Sequence, residues 1–373
     1  MMGELALRYP PQSLVVSTGA YEGSAESDAR FPQPIDRVGI RATRLRTIQG
    51  LARWTWRAGT LAKRWRPRFT WCGELKPAGY PPRWLRARHG IPYGVIVYGT
   101  ELLLIDAKIR RSRFKRRTAG SMIGKAAVLV AISRWTADLA RQVLHQLELD
   151  IPIETVPLGT NPTQFRPNID TIAMRAKYGL EGGPWLLTVS RLEWHKGIDT
   201  VMKALPAVRA RHATARYAIA GVGDRLPQLQ HLQRSLGLGD AVRFLGGIPD
   251  DELPAIYNAA DLYVGASRRH DLMAEGFGIS LVEASACGLA VVGGRSGGVP
   301  DAVREGETGI LVDPDDPAAV AAGINALLSD PERRKRLGAA GRRAVETYFN
   351  WDRVARDLIR IEASYSLASP GGR

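Results

Sequence analysis

Residues 275–283 read Glu275-Gly276-Phe277-Gly278-Ile279-Ser280-Leu281-Val282-Glu283, a loop with two glycines that runs into an apolar helix and carries a carboxylate at each end. A packed core alone would not call for it, because a buried acid needs a partner. Gly276 and Gly278 remove side chains where a ligand's diphosphate would approach the backbone, and the first N–H groups of the helix offer partners to anionic oxygens. Glu275, on the loop, can accept hydrogen bonds from sugar hydroxyls. Glu283 lies one turn into a helix otherwise made of Leu281, Val282, Ala284, Ala286 and Cys287, and can accept two hydrogen bonds from a ribose. A competing reading is local: Ser280 and Glu283 form an S-x-x-E capping box, with Ser280 as N-cap and Glu283 reaching back to it. On this stretch alone the two stand level.

The neighbouring sequence separates them. Trp185-Leu186-Leu187-Thr188-Val189-Ser190 reads as a buried strand and ends in Arg191-Leu192-Glu193-Trp194-His195-Lys196-Gly197, after which Ile198, Val201, Met202, Leu205 and Val208 follow helical spacing. Two cations thus sit at the carboxyl end of a strand, where open α/β sheets bind ligands, and an Arg fork with a Lys point charge suits a diphosphate. That position outweighs the usual expectation of solvated surface charge. After Pro167, strand-like runs at 185–190, 216–221, 242–246, 262–267, 290–294 and 309–313 alternate with helical patterns, the signature of βα repeats on a parallel sheet. A Rossmann-like domain is expected over 168–349. The first half repeats the rhythm more weakly, at Leu14–Val16, Gly94–Val97, Val128–Ile132 and Ile153–Val156, and predicts a second α/β domain over 1–160. Pro157–Pro162 supplies a turn-rich linker, and the cleft between the domains is the expected meeting place of donor and acceptor. Gly221-Val222-Gly223-Asp224 reads as simple turn chemistry.

Four motifs occur in order: R-x4-K-G-I-D from Arg191, E-G-F-G-I-S-L-V-E-A-S-A-C-G from Glu275, S-G-G-V-P-D from Ser296 and E-T-G-I-L-V-D-P from Glu307. Together they resemble the family 4 retaining glycosyltransferases, over nearly everything from about Pro92 onward. Ala284–Gly288 and Gly294–Gly298 look most like bacterial mannosyltransferases that modify phosphatidylinositol. The resemblance implies an α/β fold of GT-B type, two Rossmann-like domains facing across a cleft, with 350–373 returning to pack on the first. It implies that Arg191 and Lys196 hold the donor diphosphate, that Glu275 contacts the transferred sugar and that Glu283 contacts the nucleotide ribose. Backbone around Gly276, Phe277, Gly278 and Ile279 would meet phosphates and sugar, and Ile248, after Phe244-Leu245-Gly246-Gly247, would cradle the base edge. The implied reaction moves a hexose, mannose in the closer match, from a GDP-sugar or UDP-sugar donor to a lipid-linked or cell-envelope glycan acceptor. It proceeds on one face of the sugar, the donor phosphate taking the acceptor proton, with no cofactor and no metal.

Two departures bear on activity. The family opens with a strand, a glycine-rich loop and a helix, whereas Met1–Leu7 already reads as the helix, so the first domain is expected to lack its first strand, through a misassigned start or a fragmentary chain. Tyr98, in Val97-Tyr98-Gly99-Thr100-Glu101, stands where relatives commonly carry a histidine directed at the reacting sugar, and a phenol is a poor proton acceptor near neutral pH. The alternative function is therefore a catalytically impaired basic protein of the same fold that binds membrane or nucleic acid. A sugar-nucleotide epimerase or a phosphorylase is disfavoured by the Arg191, Lys196, Glu275 and Glu283 set.

The chain has 373 residues, enough for two domains, with no apolar run long enough to cross a bilayer and only Cys72 and Cys287 as cysteines. With no signal segment at its start, it reads as a cytoplasmic protein, peripheral at the inner face of the membrane. Its net charge of +15 concentrates in the first half, where Arg41 to Gly120 holds twenty Lys or Arg against Glu74, Glu101 and Asp106. Trp54, Trp56, Trp65 and Trp71 interleave the basic residues, and Phe114 sits in the run Lys108–Arg117. Such segments suit an anionic membrane surface as partner. Nothing resembles a specific nucleic-acid recognition module.

Overall fold

The computed structural model of the chain describes residues 2–21, 24, 28–29, 31–39 and 44–367. Met1, Arg41 and 368–373, which enter the expectations above, lie outside the described residues. The chain divides into two compact units, Met1–Val156 with Trp351–Arg373, and Pro157–Asn350.

The second unit is built on one six-stranded parallel sheet. With β1 to β6 assigned to the first unit below, its strands are β7 (Trp185–Val189), β8 (Arg216–Ala220), β9 (Val242–Gly246), β10 (Leu262–Gly265), β11 (Val291–Gly294) and β12 (Gly309–Val312). Their spatial order is β12-β11-β10-β7-β8-β9, so the order reverses at β7 and β10, the switch point at which such sheets bind ligands. Helices cover both faces, so the strands are apolar on both sides rather than alternating: β10 and β11 are buried at every position. The core joins Leu186, Tyr217, Ile219, Leu262, Val264 and Val292 to the helices Ile198–Arg209 and Pro317–Leu328.

The first unit holds two smaller parallel sheets. One pairs β1 (Val16–Gly19) with β2 (Ile35–Val38); the other runs β3 (Thr70–Cys72), β4 (Tyr93–Val97), β5 (Val128–Ala131), β6 (Ile153–Thr155). Sequence reading found β4, β5 and β6, placed β1 two residues early and missed β2 and β3. The reason is physical: β1 is half-buried throughout, β2 carries Asp36 and Arg37, and β3 has three residues, so none forms an apolar run. A short helix, Met2–Ala6, precedes β1 and packs on the final helix Trp351–Leu367. Tyr9 Oη and Trp71 Nε1 both donate to Glu362 Oε2 of that final helix, at 3.2 and 3.0 Å, and fasten it to this unit.

Candidate functional site

Three loops of the second unit converge beyond the carboxyl ends of β7, β10 and β11. The loop after β7 carries Arg191, Glu193, His195 and Lys196, and the loop after β10 carries Ser267, Arg268 and Glu275. Lys196 Nζ donates to Glu275 Oε2 at 2.6 Å, and Ser267 Oγ stands 3.5 Å from the same oxygen. Burial alone would push the Glu275 carboxyl up; Lys196 overrides it, helped by His195 and Ser267, and holds the group below the usual carboxylate range. Glu275 is therefore an anion at neutral pH. Arg191 remains largely exposed, its guanidinium 2.7 Å from Glu193 Oε1, while Glu193 Oε2 lies 3.1 Å from His195 Nδ1. His195 is buried, and burial together with the neighbouring Lys196 charge lowers its affinity for a proton, which keeps the imidazole neutral. Sequence reading missed His195, because a lone histidine inside a motif gives no spacing signal.

The loops lock together through backbone contact. Gly197 has φ +66°, and a Cβ there would come 1.8 Å from the Ala266 carbonyl oxygen, so this crossing requires glycine. The Arg268 N–H donates to the His195 carbonyl at 2.8 Å, and its guanidinium bonds Thr200 Oγ1 at 2.5 Å and Asp199 Oδ1 at 2.9 Å. On the other side, a Cβ at Gly297, φ +57°, would meet the Glu275 carbonyl oxygen at 2.3 Å, and the Gly298 N–H donates to that oxygen at 2.9 Å. The S-G-G motif thus grips the backbone that presents Glu275. Gly221–Asp224 does more than turn the chain: the Leu192 N–H donates to the Val222 carbonyl at 3.0 Å and the Arg225 N–H to the Leu192 carbonyl at 3.3 Å, so it braces the loop that carries Arg191.

The helix Ile279–Ala286 differs from the capping-box reading. Its N-cap is Gly278, in the left-handed region, with no side-chain cap hydrogen bond. Ser280 Oγ instead receives the Tyr263 hydroxyl at 2.7 Å, and Glu283 Oε2 receives the Tyr257 hydroxyl at 2.8 Å. Tertiary partners have taken both members of the box. Burial raises the Glu283 carboxyl to about 7; the Tyr257 hydrogen bond opposes that shift and Asp250 adds to it. Asp250 lies two residues past Ile248 on the loop after β9, and Ile248 itself is half-buried. Phe277 is fully buried with its ring 6.1 Å from that of Phe349, so its side chain belongs to the core. The structure brings Lys196 and Glu275 into contact, with Arg191 on the same loop as Lys196 and Glu283 about one turn into the helix that follows the Glu275 loop.

Tyr98 belongs to the first unit, at the end of β4. It is half-buried; burial, with Glu101, Glu74 and Cys72, raises its hydroxyl well above the usual phenol value, so Tyr98 acts as a hydrogen-bond donor and not as a base. Its N–H donates to Glu101 Oε1. The basic helix Arg44–Trp65 turns Trp54 inward, where Nε1 donates to Ser17 Oγ at 2.8 Å, and leaves Ile48 at 67% and Trp56 at 69% exposure. Phe114 is 75% exposed at the start of the helix Arg113–Ile123, among exposed Arg111, Arg113, Lys115, Arg116 and Arg117.

Two Rossmann-like units, the second with three loops converging at its switch point, define the GT-B glycosyltransferase fold. The solved structure of Anabaena HepE in complex with UDP and glucose has the same fold, with a TM-score of 0.79 over 97% of this chain and 95% of that one at 18% identity. Residues 170–344, within the second unit, match the family described as Glycosyl transferases group 1. It is 38% identical over 239 residues to the GDP-mannose-dependent alpha-(1-6)-phosphatidylinositol monomannoside mannosyltransferase of Mycolicibacterium smegmatis, over 63% of this chain and 62% of that protein. It is 35% identical over 264 residues to the D-inositol 3-phosphate glycosyltransferase of Geodermatophilus obscurus, over 66% of this chain and 55% of that protein. The chain therefore spans less than two thirds of the length of these relatives. Among the described residues, no helix is long and apolar enough to cross a membrane.

Proposed function

We propose that the chain is a retaining glycosyltransferase that moves a hexose, mannose by analogy with its mannosyltransferase relatives, from a nucleotide-diphosphate sugar to a lipid-linked or cell-envelope glycan acceptor. The observation that carries this reading is the half-buried ion pair of Lys196 and Glu275, held by three converging loops at the switch point of the sheet. An ion pair placed there for stability alone gains little over apolar packing, whereas a preorganised cation and anion suit a ligand with a diphosphate and a polyhydroxylated sugar. In this scheme Lys196 and Arg191 neutralise the leaving diphosphate, and Glu275 accepts hydrogen bonds from the sugar. Glu283 receives the ribose hydroxyls, and the backbone at Gly276, Phe277, Gly278 and Ile279 meets the phosphates. Ile248 lies against the base, and Tyr98 donates a hydrogen bond on the acceptor side. The donor phosphate takes the acceptor proton, and the scheme uses no metal. The relatives named for mannosyl and inositol-phosphate transfer support a GDP-sugar and a phosphoinositol lipid as first choices, and the UDP-bound neighbour supports a UDP-sugar as the next.

For location, the reading is a cytoplasmic protein, peripheral at the inner face of the membrane. The exposed Ile48, Trp56 and Phe114, on segments whose sequence is rich in arginine, support contact with an anionic membrane surface. The test is a panel of nucleotide-sugars scored by release of the nucleotide diphosphate, with and without phosphatidylinositol-type acceptor lipids. One donor should turn over, and Glu275→Ala and Lys196→Ala should each lower kcat/KM at least about a hundredfold while leaving a cooperative thermal transition. A protein that binds no nucleotide-sugar would instead favour the basic, catalytically silent alternative.

A further inference from the structure

Glu283 sits half-buried, and among the described residues no cation acts on its charge, which is an unusual setting for a carboxylate that must greet a diol. The titratable groups that act on its charge are Tyr257, from the helix Leu253–Asn258, and Asp250, from the loop before that helix; Tyr263 of β10 and Cys287, just past the end of its own helix, stand beside it. Of these, only the Tyr257 hydroxyl stabilises the anion. Tyr257 is fully buried, packed against the rings of Phe165 at 5.9 Å and Tyr263 at 5.8 Å, so its hydroxyl has one fixed direction. It points at Glu283 Oε2 from 2.8 Å. Burial and the Glu283 charge keep that phenol protonated, and hence a donor, throughout the working pH range.

We infer that Tyr257 is a positioning residue for nucleotide binding: its hydroxyl holds the Glu283 carboxylate in one rotamer and in its ionised form, leaving the remaining lone pairs for the vicinal 2′ and 3′ hydroxyls of a ribose. The inference rests on the donor-site reading of Glu283. One carboxylate oxygen offers two acceptor directions, so a single phenol bond leaves both oxygens able to receive a hydroxyl. Tyr263 does the matching work one turn earlier, bonding Ser280 at 2.7 Å and the Val189 carbonyl at 3.3 Å. The two tyrosines, packed ring against ring at a tilt, thereby hold the first turn of the helix.

The experiment titrates UDP and GDP into the full chain by calorimetry between about pH 6 and 9, for the wild type, Tyr257→Phe, Tyr263→Phe and Glu283→Gln, with thermal melts to confirm folding. Wild-type affinity for the preferred nucleotide should fall on acidification through about 7. Tyr257→Phe keeps the ring and removes one donor; it should weaken binding about five- to tenfold near neutral pH, shift the falling limb to higher pH and recover in base. The 2′,3′-dideoxy nucleotide should bind both proteins alike, and Tyr263→Phe should leave the limb in place. If Glu283→Gln weakens binding while Tyr257→Phe keeps the wild-type affinity and limb, Tyr257 is packing only and the inference fails. If Glu283→Gln binds like the wild type at every pH, the ribose reading itself falls, and the inference with it.

Discussion

Glu275 and Glu283 stand on one loop and helix yet are treated oppositely by their surroundings. Glu275 meets Lys196 and is held below the usual carboxylate range, whereas Glu283 is raised to about 7 by burial against the opposing Tyr257 hydrogen bond. The consequences for stability have opposite signs. A depressed carboxyl stabilises the fold above its unfolded value and loses that contribution as pH falls through the folded one. A raised carboxyl favours the fold below its unfolded value and loses that contribution as pH rises through about 7. Above neutrality the ionised Glu283 is therefore a stability cost that the apo protein carries. Glu283→Gln, which keeps an acceptor for Tyr257, should raise the melting temperature at about pH 8, by the equivalent of about 2 kcal/mol, and the advantage should vanish near pH 5. Differential scanning calorimetry across that range measures it, and a variant less stable than wild type at the higher pH would refute the assignment.

At the scale of elements, the site depends on how the loops after β7 and β10 hold one another. Arg268 is the link, since its guanidinium bonds Asp199 and Thr200 while its N–H holds the His195 carbonyl, one residue from Lys196. Arg268→Ala would leave Asp199, which is nearly fully buried, with Lys203 as its remaining ion-pair partner, so it should cost on the order of 3 kcal/mol. A double-mutant cycle with Asp199→Ala should return a coupling of about 1–3 kcal/mol; additivity within about 0.5 kcal/mol would mean that the link is incidental. The six strands of the second unit were legible because buried parallel strands are unbroken apolar runs between turn residues, and Arg191, Lys196, Glu275 and Glu283 were legible because each stands in a fixed register to a strand end or a glycine loop. Arg268, His195 and Tyr257 were not. Nothing in local spacing marks a residue whose partner is remote: Tyr257 reaches Glu283 across 26 positions, and Tyr263 reaches Ser280 across 17. The same distance misled the capping-box reading, which weighed Ser280 and Glu283 only against their own helix.

Over the whole molecule, the net charge of +15 is carried by a first half in which basic and aromatic side chains share the surface. The structure divides those aromatics by role. Trp54 and Trp71 spend their indole N–H groups on Ser17 and Glu362, while Ile48, Trp56 and Phe114 face solvent, Phe114 in a run of exposed arginines. Long basic side chains attract anionic headgroups over roughly a Debye length, about 8 Å at physiological salt, and exposed apolar rings then enter the interface. The two contributions separate experimentally. Vesicles containing anionic lipid should co-sediment with the protein and release it as salt rises to about 1 M, because screening then shortens the attraction to about 3 Å. Trp56→Ser and Phe114→Ser, both at exposed positions, should leave the stability within about 0.5 kcal/mol of wild type and yet weaken vesicle binding severalfold, through loss of apolar area rather than charge. Equal binding to zwitterionic and anionic vesicles would remove the electrostatic part of the reading, and unchanged binding of both variants would remove the apolar part, leaving the basic surface as solvated charge.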